Sequence, residues 1–137
     1  MLFRSTSGIT VSGAAVNHTG SLTSSGSGSG SVLVSAQVGS NVTGVTQNSA
    51  TSMLVLSGDN TYTSDTTISA GTLQVTGAGQ LGAGTYLGNL SVASSSTFKY
   101  SSSAAQTLSG TVSGSGALIK DTGTSSTLAL SGSANTY

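Results

Sequence analysis

The sequence predicts an all-β protein built as a parallel β-solenoid of about six coils, and three observations support this. Short apolar-polar-apolar stretches recur along the 137 residues at intervals of about 16 to 23 residues. The phrase at 54–62 returns with small changes at 128–137. Ser, Thr and Gly make up 71 of the residues, which suits short strands separated by tight corners. Self-similarity of this kind is typical of folds that bury their core between stacked units.

Each short stretch has two apolar residues flanking one other residue. In an extended strand those two side chains point to the same face, so each stretch predicts a strand with one buried side. The predicted strands are Ile9–Val11, Val32–Val34, Leu54–Leu56, Leu73–Val75, Leu90–Val92, Phe98–Tyr100 and Leu128–Leu130. The two copies of the phrase are offset by 74 residues, which we interpret as an approximate multiple of one coil.

The corners are predicted where a strand runs into a pair of small residues ending in Gly13, Gly58, Gly77 or Gly132. Glycine permits the positive φ angle that a tight corner requires. The run 26–31 alternates Gly and Ser, as a flexible linker would. A similar run at 122–126 precedes Leu128, so we interpret 26–31 as a corner or lateral loop instead.

The composition excludes several classes of partner. Leu, Ile, Val and Phe amount to about a fifth of the chain, which is near the level at which cores fail, but the net charge is zero and proline is absent, so ordered strands are favoured over disorder. Three scattered cations, Arg4, Lys99 and Lys120, predict neither nucleic-acid binding nor attraction to an anionic membrane. No apolar run is long enough to span a bilayer, the start does not resemble a signal peptide, and no cysteine is present for disulfides.

Candidate chemical residues are few, and we predict no enzyme, metal site or cofactor. His18 is the single histidine and is interpreted as an exposed loop residue without convergent ligands. Asp59 and Asp65 are close in sequence, but Asp59 is not kept in the second phrase, which favours a turn role. The glycines at 77, 79, 82 and 84 do not have nucleotide-loop spacing, and three glycan-acceptor triplets, at Asn17, Asn41 and Asn89, are expected by chance in such a chain.

The run from Leu54 to Thr63, followed by 66–75 and 81–82, closely resembles the autotransporter passenger-associated β-strand repeat of bacterial surface proteins. The segment 106–118 resembles the portion that links one copy of that repeat to the next. The resemblance implies a right-handed parallel β-helix, an exported passenger on or outside a bacterial cell, and a role as stalk or spacer. It also implies one solenoid domain over 1–137, with divergent coils at 1–52 and, at 53–137, the recognisable copy followed by the start of the next.

Two functions are compatible with these observations. The first is a structural subunit that stacks head-to-tail with itself, because the end coils of a β-helix expose unpaired strand edges and this chain offers no capping helix. Its predicted assembly residues are Leu2, Phe3, Ile9, Val11, Leu128, Leu130 and Tyr137. The second is an adhesin segment that binds a surface or glycan laterally. Its predicted binding residues are Tyr86, Phe98 and Tyr100.

Overall fold

The computed structural model describes residues 1–121 and 125–137 and confirms the predicted fold. Part of the small-residue run at 122–126 therefore lies outside the described residues. The described residues form thirteen strands and one 3-10 turn at Gly82–Gly84. The strands are β1 Leu2–Phe3, β2 Ile9–Val11, β3 Gly20–Ser25, β4 Val32–Val34, β5 Val42–Leu56, β6 Thr66–Gly77, β7 Thr85–Tyr86, β8 Leu90–Val92, β9 Thr97–Ser102, β10 Gln106–Leu108, β11 Val112–Gly114, β12 Ala117–Lys120 and β13 Leu128–Leu130.

All strand pairs are parallel, and they stack in columns that we call the first, second and third face. The first face contains β1, β3, the start of β5, the start of β6, β8 and β11 in that order. The second contains β2, β4, the end of β5, the end of β6, β9 and β12. The third contains β7, β10 and β13.

One coil takes about 22 residues. Pairing partners are 19 residues apart at Met53 and Thr72 and 25 apart at Thr72 and Thr97, and most other offsets lie between these. The irregular offsets coincide with bulges in β5. The chain therefore makes about six coils.

The core is one continuous apolar column enclosed by the three faces. The first face buries Leu22, Val45, Ile68 and Val92, and the second buries successive pairs such as Leu54 with Leu56. Near the third face lie Val38, Tyr62, Tyr86 and Leu108, which are also buried. Strands in the interior of the stack, such as β8 and β9, alternate buried and outward residues, as a half-buried strand should.

The interpretation of the 74-residue offset as a multiple of one coil is wrong. Leu54–Leu56 lies on the second face, where it pairs with Leu73–Val75. Leu128–Leu130 lies on the third face, where it pairs with Gln106–Leu108. The repeated phrase therefore encodes a strand followed by a corner, and the corner is placed at two different positions around the coil.

The glycines at the corners act in two ways. Gly13 and Gly77 have φ angles of +88° and +65°, as predicted for tight corners. Gly58 and Gly132 do not have positive φ angles, but a Cβ at Gly58 would lie 2.7 Å from the carbonyl oxygen of Ala36 on the preceding coil. Here glycine is required because adjacent coils approach too closely for a side chain.

Candidate functional surfaces

The two end coils present strand edges along the solenoid axis. Within the described residues, β2 pairs with β4 alone and β12 with β9 alone. Ile9 donates its N–H to Ser31, and Val11 accepts from Ser35, so both residues bond toward the second coil. Because alternate residues of a strand bond to opposite sides, the N–H and C=O of Thr10 face the open edge.

The predicted assembly residues lie at or near these edges and differ in exposure. Leu2, Leu130 and Tyr137 are 54%, 43% and 50% exposed. Phe3 is buried, and Ile9, Val11 and Leu128 are half-buried. Sequence reasoning missed Ile119, which is 43% exposed on the last coil of the second face.

The last coil is already partly paired. Thr136 donates its N–H to Val112 at 3.0 Å and bridges Ser113, so it begins the next rung of the first face. The hydroxyl of Tyr137 accepts the N–H of Leu118, and this N–H lies on the open edge of β12. A molecule that extends the second face from β12 must displace this tyrosine side chain.

The prediction of a lateral binding site formed by aromatic residues is wrong. Tyr86, Phe98 and Tyr100 are all 0% exposed and belong to the core. The side chains of Phe98 and Tyr100 both point into the core from β9, whereas Lys99 between them is half-buried. The lysine was the sequence signal for their orientation, since the charged residue faces outward.

A chain of buried hydroxyl groups links two coils beside the third face. Thr66 contacts the Tyr62 hydroxyl at 2.9 Å and the Tyr86 hydroxyl at 2.7 Å, and Tyr86 also donates to the carbonyl of Ser64. The two rings meet edge to face with centroids 5.5 Å apart. Burial raises the pKa of both phenols well above its usual value. Tyr62 is therefore a core residue whose hydroxyl is held inside the solenoid.

Asn60 is a buried polar residue that bonds across coils. Its side chain is 0% exposed. Its Oδ1 accepts the N–H of Val38 at 2.9 Å, and its Nδ2 donates to Gly58 and Gln80 at 2.8 and 2.9 Å. One carboxamide thus bonds three successive coils.

The alternating Gly-Ser run 26–31 forms a lateral loop of the stack, as interpreted from the sequence. The hydroxyls of Ser49, Thr51 and Ser52 donate to the carbonyls of its three glycines, Gly26, Gly28 and Gly30, at 2.8, 2.9 and 2.6 Å. A Cβ at Gly28 or Gly30 would overlap the backbone of residues 5–8 on the preceding coil. The glycines of the run therefore allow close stacking on the preceding coil, and their carbonyl groups accept hydrogen bonds from hydroxyls of the following coil.

The outward row of the first face is lined with hydroxyl groups. Thr23, Thr46, Thr67, Ser91 and Ser113 stand in register on successive coils. Their hydroxyls form no hydrogen bond with the described part of the chain. With a strand separation of about 4.8 Å, the row offers regularly spaced donors and acceptors to solvent or to a ligand.

The charged residues are dispersed over the solenoid. Lys99 pairs with Asp121 at 3.5 Å on the second face, and both side chains are about one third exposed. Arg4 lines a cleft of about 320 Å³ beside Gly26 and Gly28.

Asp65 accepts the N–H of Asn89 at 2.9 Å, so it stabilises a corner. His18 contacts the Ser21 carbonyl at 3.1 Å and the terminal amine at 3.2 Å.

The described residues contain neither a metal-binding cluster nor a membrane-spanning helix. No group of three or more His, Cys, Asp or Glu residues that could hold a metal ion occurs among them. In the same part of the chain no helix is long and apolar enough to cross a membrane.

Comparison with known families supports the resemblance in the sequence. Residues 51–75 match the passenger-associated-transport-repeat family, consistent with an autotransporter passenger repeat. The matched segment contains the end of β5 and most of β6, and the ends of these two strands are adjacent rungs of the second face. No curated protein and no solved structure matches the chain.

Proposed function

We propose that this protein is a non-enzymatic structural subunit, outside the cell or on a bacterial surface, whose end coils stack head-to-tail into a fibre. The repeat match and the solenoid fold support a passenger-like protein that is surface-exposed or secreted. The observation that carries the stacking proposal is the pair of parallel strand edges, β2 and β12, on the same face of the solenoid.

Head-to-tail stacking would continue the same parallel ladder. Strand β2 of one copy would lie on β12 of the next, so that Ile9 and Val11 extend the inward row that contains Leu118. Exposed Leu2, Ile119 and Leu130 would lose water-accessible surface in such a contact. The two surfaces are different, so the contact is heterologous and generates an open filament.

The test uses the purified chain and two variants of Thr10. Its side chain is exposed and its N–H faces the open edge, so Thr10→Pro removes an edge donor without removing a bond to the second coil. Thr10→Ala is the matched control. Electron microscopy and sedimentation velocity over a concentration series would follow assembly, and far-ultraviolet circular dichroism would verify folding.

We expect filaments from the parent chain and from Thr10→Ala, and single rods from a folded Thr10→Pro. The proposal fails if the parent chain keeps the mass of one rod at high concentration. It fails equally if Thr10→Pro forms filaments as readily as the alanine variant.

A second candidate is a stalk or passenger segment of an adhesin that binds a surface or glycan. The hydroxyl row on the first face favours it, because regularly spaced hydroxyls can bond to sugars. Saturable binding on a glycan array that is lost in Thr46→Val but kept in Thr10→Ala would support this candidate. Filaments that form without any glycan favour the first.

A further inference from the structure

The corner between the third and first faces carries a row of Asn and Asp side chains. Asn17, Asn41, Asp65 and Asn89 each precede a strand of the first face, and successive members are 24 residues apart. Asn17 accepts the N–H of Asn41 at 2.9 Å, Asp65 accepts that of Asn89 at 2.9 Å, and Asn89 accepts that of Thr111 at 3.0 Å. Three of the four side chains therefore bond their coil to the next one at this edge of the solenoid, whereas the Asn41 side chain makes no such bond among the described residues.

The three asparagines of this row are also the three that begin an Asn-x-Ser/Thr triplet. The triplets are Asn17-His18-Thr19, Asn41-Val42-Thr43 and Asn89-Leu90-Ser91. Each asparagine is exposed, as is the hydroxyl residue two positions later. The remaining asparagines, Asn48, Asn60 and Asn135, begin no such triplet. All three triplets therefore lie on one exposed corner of the solenoid.

The carboxamides of the row leave their nitrogen atoms available. The Oδ1 atoms of Asn17 and Asn89 accept backbone N–H groups, so each Nδ2 occupies the other arm of a planar group. None of the three Nδ2 atoms forms a hydrogen bond within 1–121 and 125–137. By contrast, Nδ2 of buried Asn60 donates to two carbonyls.

We propose that Asn17, Asn41 and Asn89 are acceptors for asparagine-linked glycosylation by a transferase that uses a nucleotide-activated hexose. In this step a bond forms between Nδ2 and the anomeric carbon of the sugar, and the bond from that carbon to the nucleoside diphosphate breaks. The diphosphate departs with its electron pair, and Nδ2 loses one proton. The Asn-x-Ser/Thr triplet is the acceptor pattern of such modification on exposed segments.

The modification is compatible with the coil-to-coil bonds of the corner. Substitution at Nδ2 leaves Oδ1 as a carbonyl acceptor, so the bonds to Asn41 and Thr111 persist. Asn17 and Asn41 lie on adjacent coils, about 4.8 Å apart along the axis, so two sugars there would crowd each other. We therefore expect a sugar on Asn89 and on at least one of Asn17 and Asn41.

The experiment incubates the folded chain with an asparagine-specific hexosyltransferase and UDP-glucose, then measures intact mass and sequences the modified peptides. An unstructured peptide that contains an Asn-x-Thr triplet verifies that the enzyme is active. The variant Asp65→Asn creates the triplet Asn-Thr-Thr one coil from both Asn41 and Asn89, so hexose at position 65 is expected only in molecules that carry none on these two neighbours. The variant Asn89→Gln should lose the hexose from its site.

The expected result is hexose on Asn89 and on at least one of Asn17 and Asn41, with none on Asn48 or Asn135. The proposal is overturned if Asn89 receives no sugar, or if neither of the other two does, while the control peptide is modified. It is also overturned if Asn48 or Asn135 is modified to the same extent. None of these outcomes depends on whether the chain forms filaments.

Discussion

Asn60 provides the sharpest test of how the coils are held together. Its Oδ1 and Nδ2 bond to Val38, Gly58 and Gln80, so the substitution Asn60→Ala removes three hydrogen bonds at a position with no exposed surface. The isosteric variant Asn60→Asp keeps an acceptor for the N–H of Val38 but loses the two N–H donors to Gly58 and Gln80. We expect both variants to destabilise the fold.

The magnitude follows from what each partner retains. The carbonyl of Gly58 still accepts the N–H of Gln80, and the carbonyl of Gln80 still accepts the N–H of residue 60. The buried N–H of Val38 has no such replacement. An orphaned buried donor costs about 1–3 kcal/mol and each of the two other lost hydrogen bonds about 1 kcal/mol, so Asn60→Ala should lower the free energy of unfolding by about 3–5 kcal/mol.

Asn135 is the matched control. It occupies the same place in the second phrase, and its Oδ1 accepts the N–H of Val112 at 2.8 Å, but it is exposed. Water can replace the lost acceptor, so Asn135→Ala should cost about 1 kcal/mol or less. Urea unfolding followed by far-ultraviolet circular dichroism, at a concentration that keeps single rods, gives both values. Equal losses in the two variants, or a smaller loss for Asn60→Ala, would refute the proposed role of the buried carboxamide.

Three further outcomes follow from the same geometry. Gly110→Ala should lower the free energy of unfolding in urea by about 1–3 kcal/mol, because its Cβ would overlap a backbone carbonyl of the preceding coil. Gly44→Ala should change it by about 0.5 kcal/mol or less, because its Cβ would lie 3.7 Å from the carbonyl oxygen of Asp65. Similar losses in the two variants would contradict the close-stacking argument. Burial raises the pKa of Tyr62 and Tyr86, so unfolding releases protons once the pH passes the unfolded value of about 10. The free energy of unfolding should therefore be independent of these groups below pH 10 and fall above it. In a pH series of urea melts, the fall should be shallower for Tyr86→Phe. Tyr137→Ala frees the strand N–H that its hydroxyl now holds and should lower the concentration at which sedimentation detects stacked rods; an unchanged or higher threshold would contradict displacement of that side chain during stacking.

The strands could be predicted from the sequence because their side-chain period is local. A stretch such as Leu90-Ser91-Val92 places two buried residues on one side of a pleated strand, and the structure confirms that alternation. The common orientation of Phe98 and Tyr100 could also be predicted, because the charged Lys99 between them points to the opposite side of the strand. The binding role assigned to those rings was wrong because a solenoid interior accommodates large aromatic side chains.

The position of each strand around the coil could not be predicted from the same local pattern. The phrases that begin at Leu54 and Leu128 look alike but lie on different faces, because bulges and corners of varying length shift the register between them. The corner bonds of Asn60 were hidden for a related reason. A carboxamide that joins residues about 22 positions apart leaves no short-range signal.

The most direct test of the central claim is a distance measured between copies of the chain. A single spin label on exposed Ser91 has no partner within one molecule, so any defined distance arises from assembly. Head-to-tail stacking of six-coil units, with a rise of about 4.8 Å per coil, predicts a repeat of about 29 Å in pulsed electron paramagnetic resonance of concentrated protein. A distribution without a defined distance at concentrations where the rods meet, or a repeat that does not correspond to whole six-coil units, would contradict it.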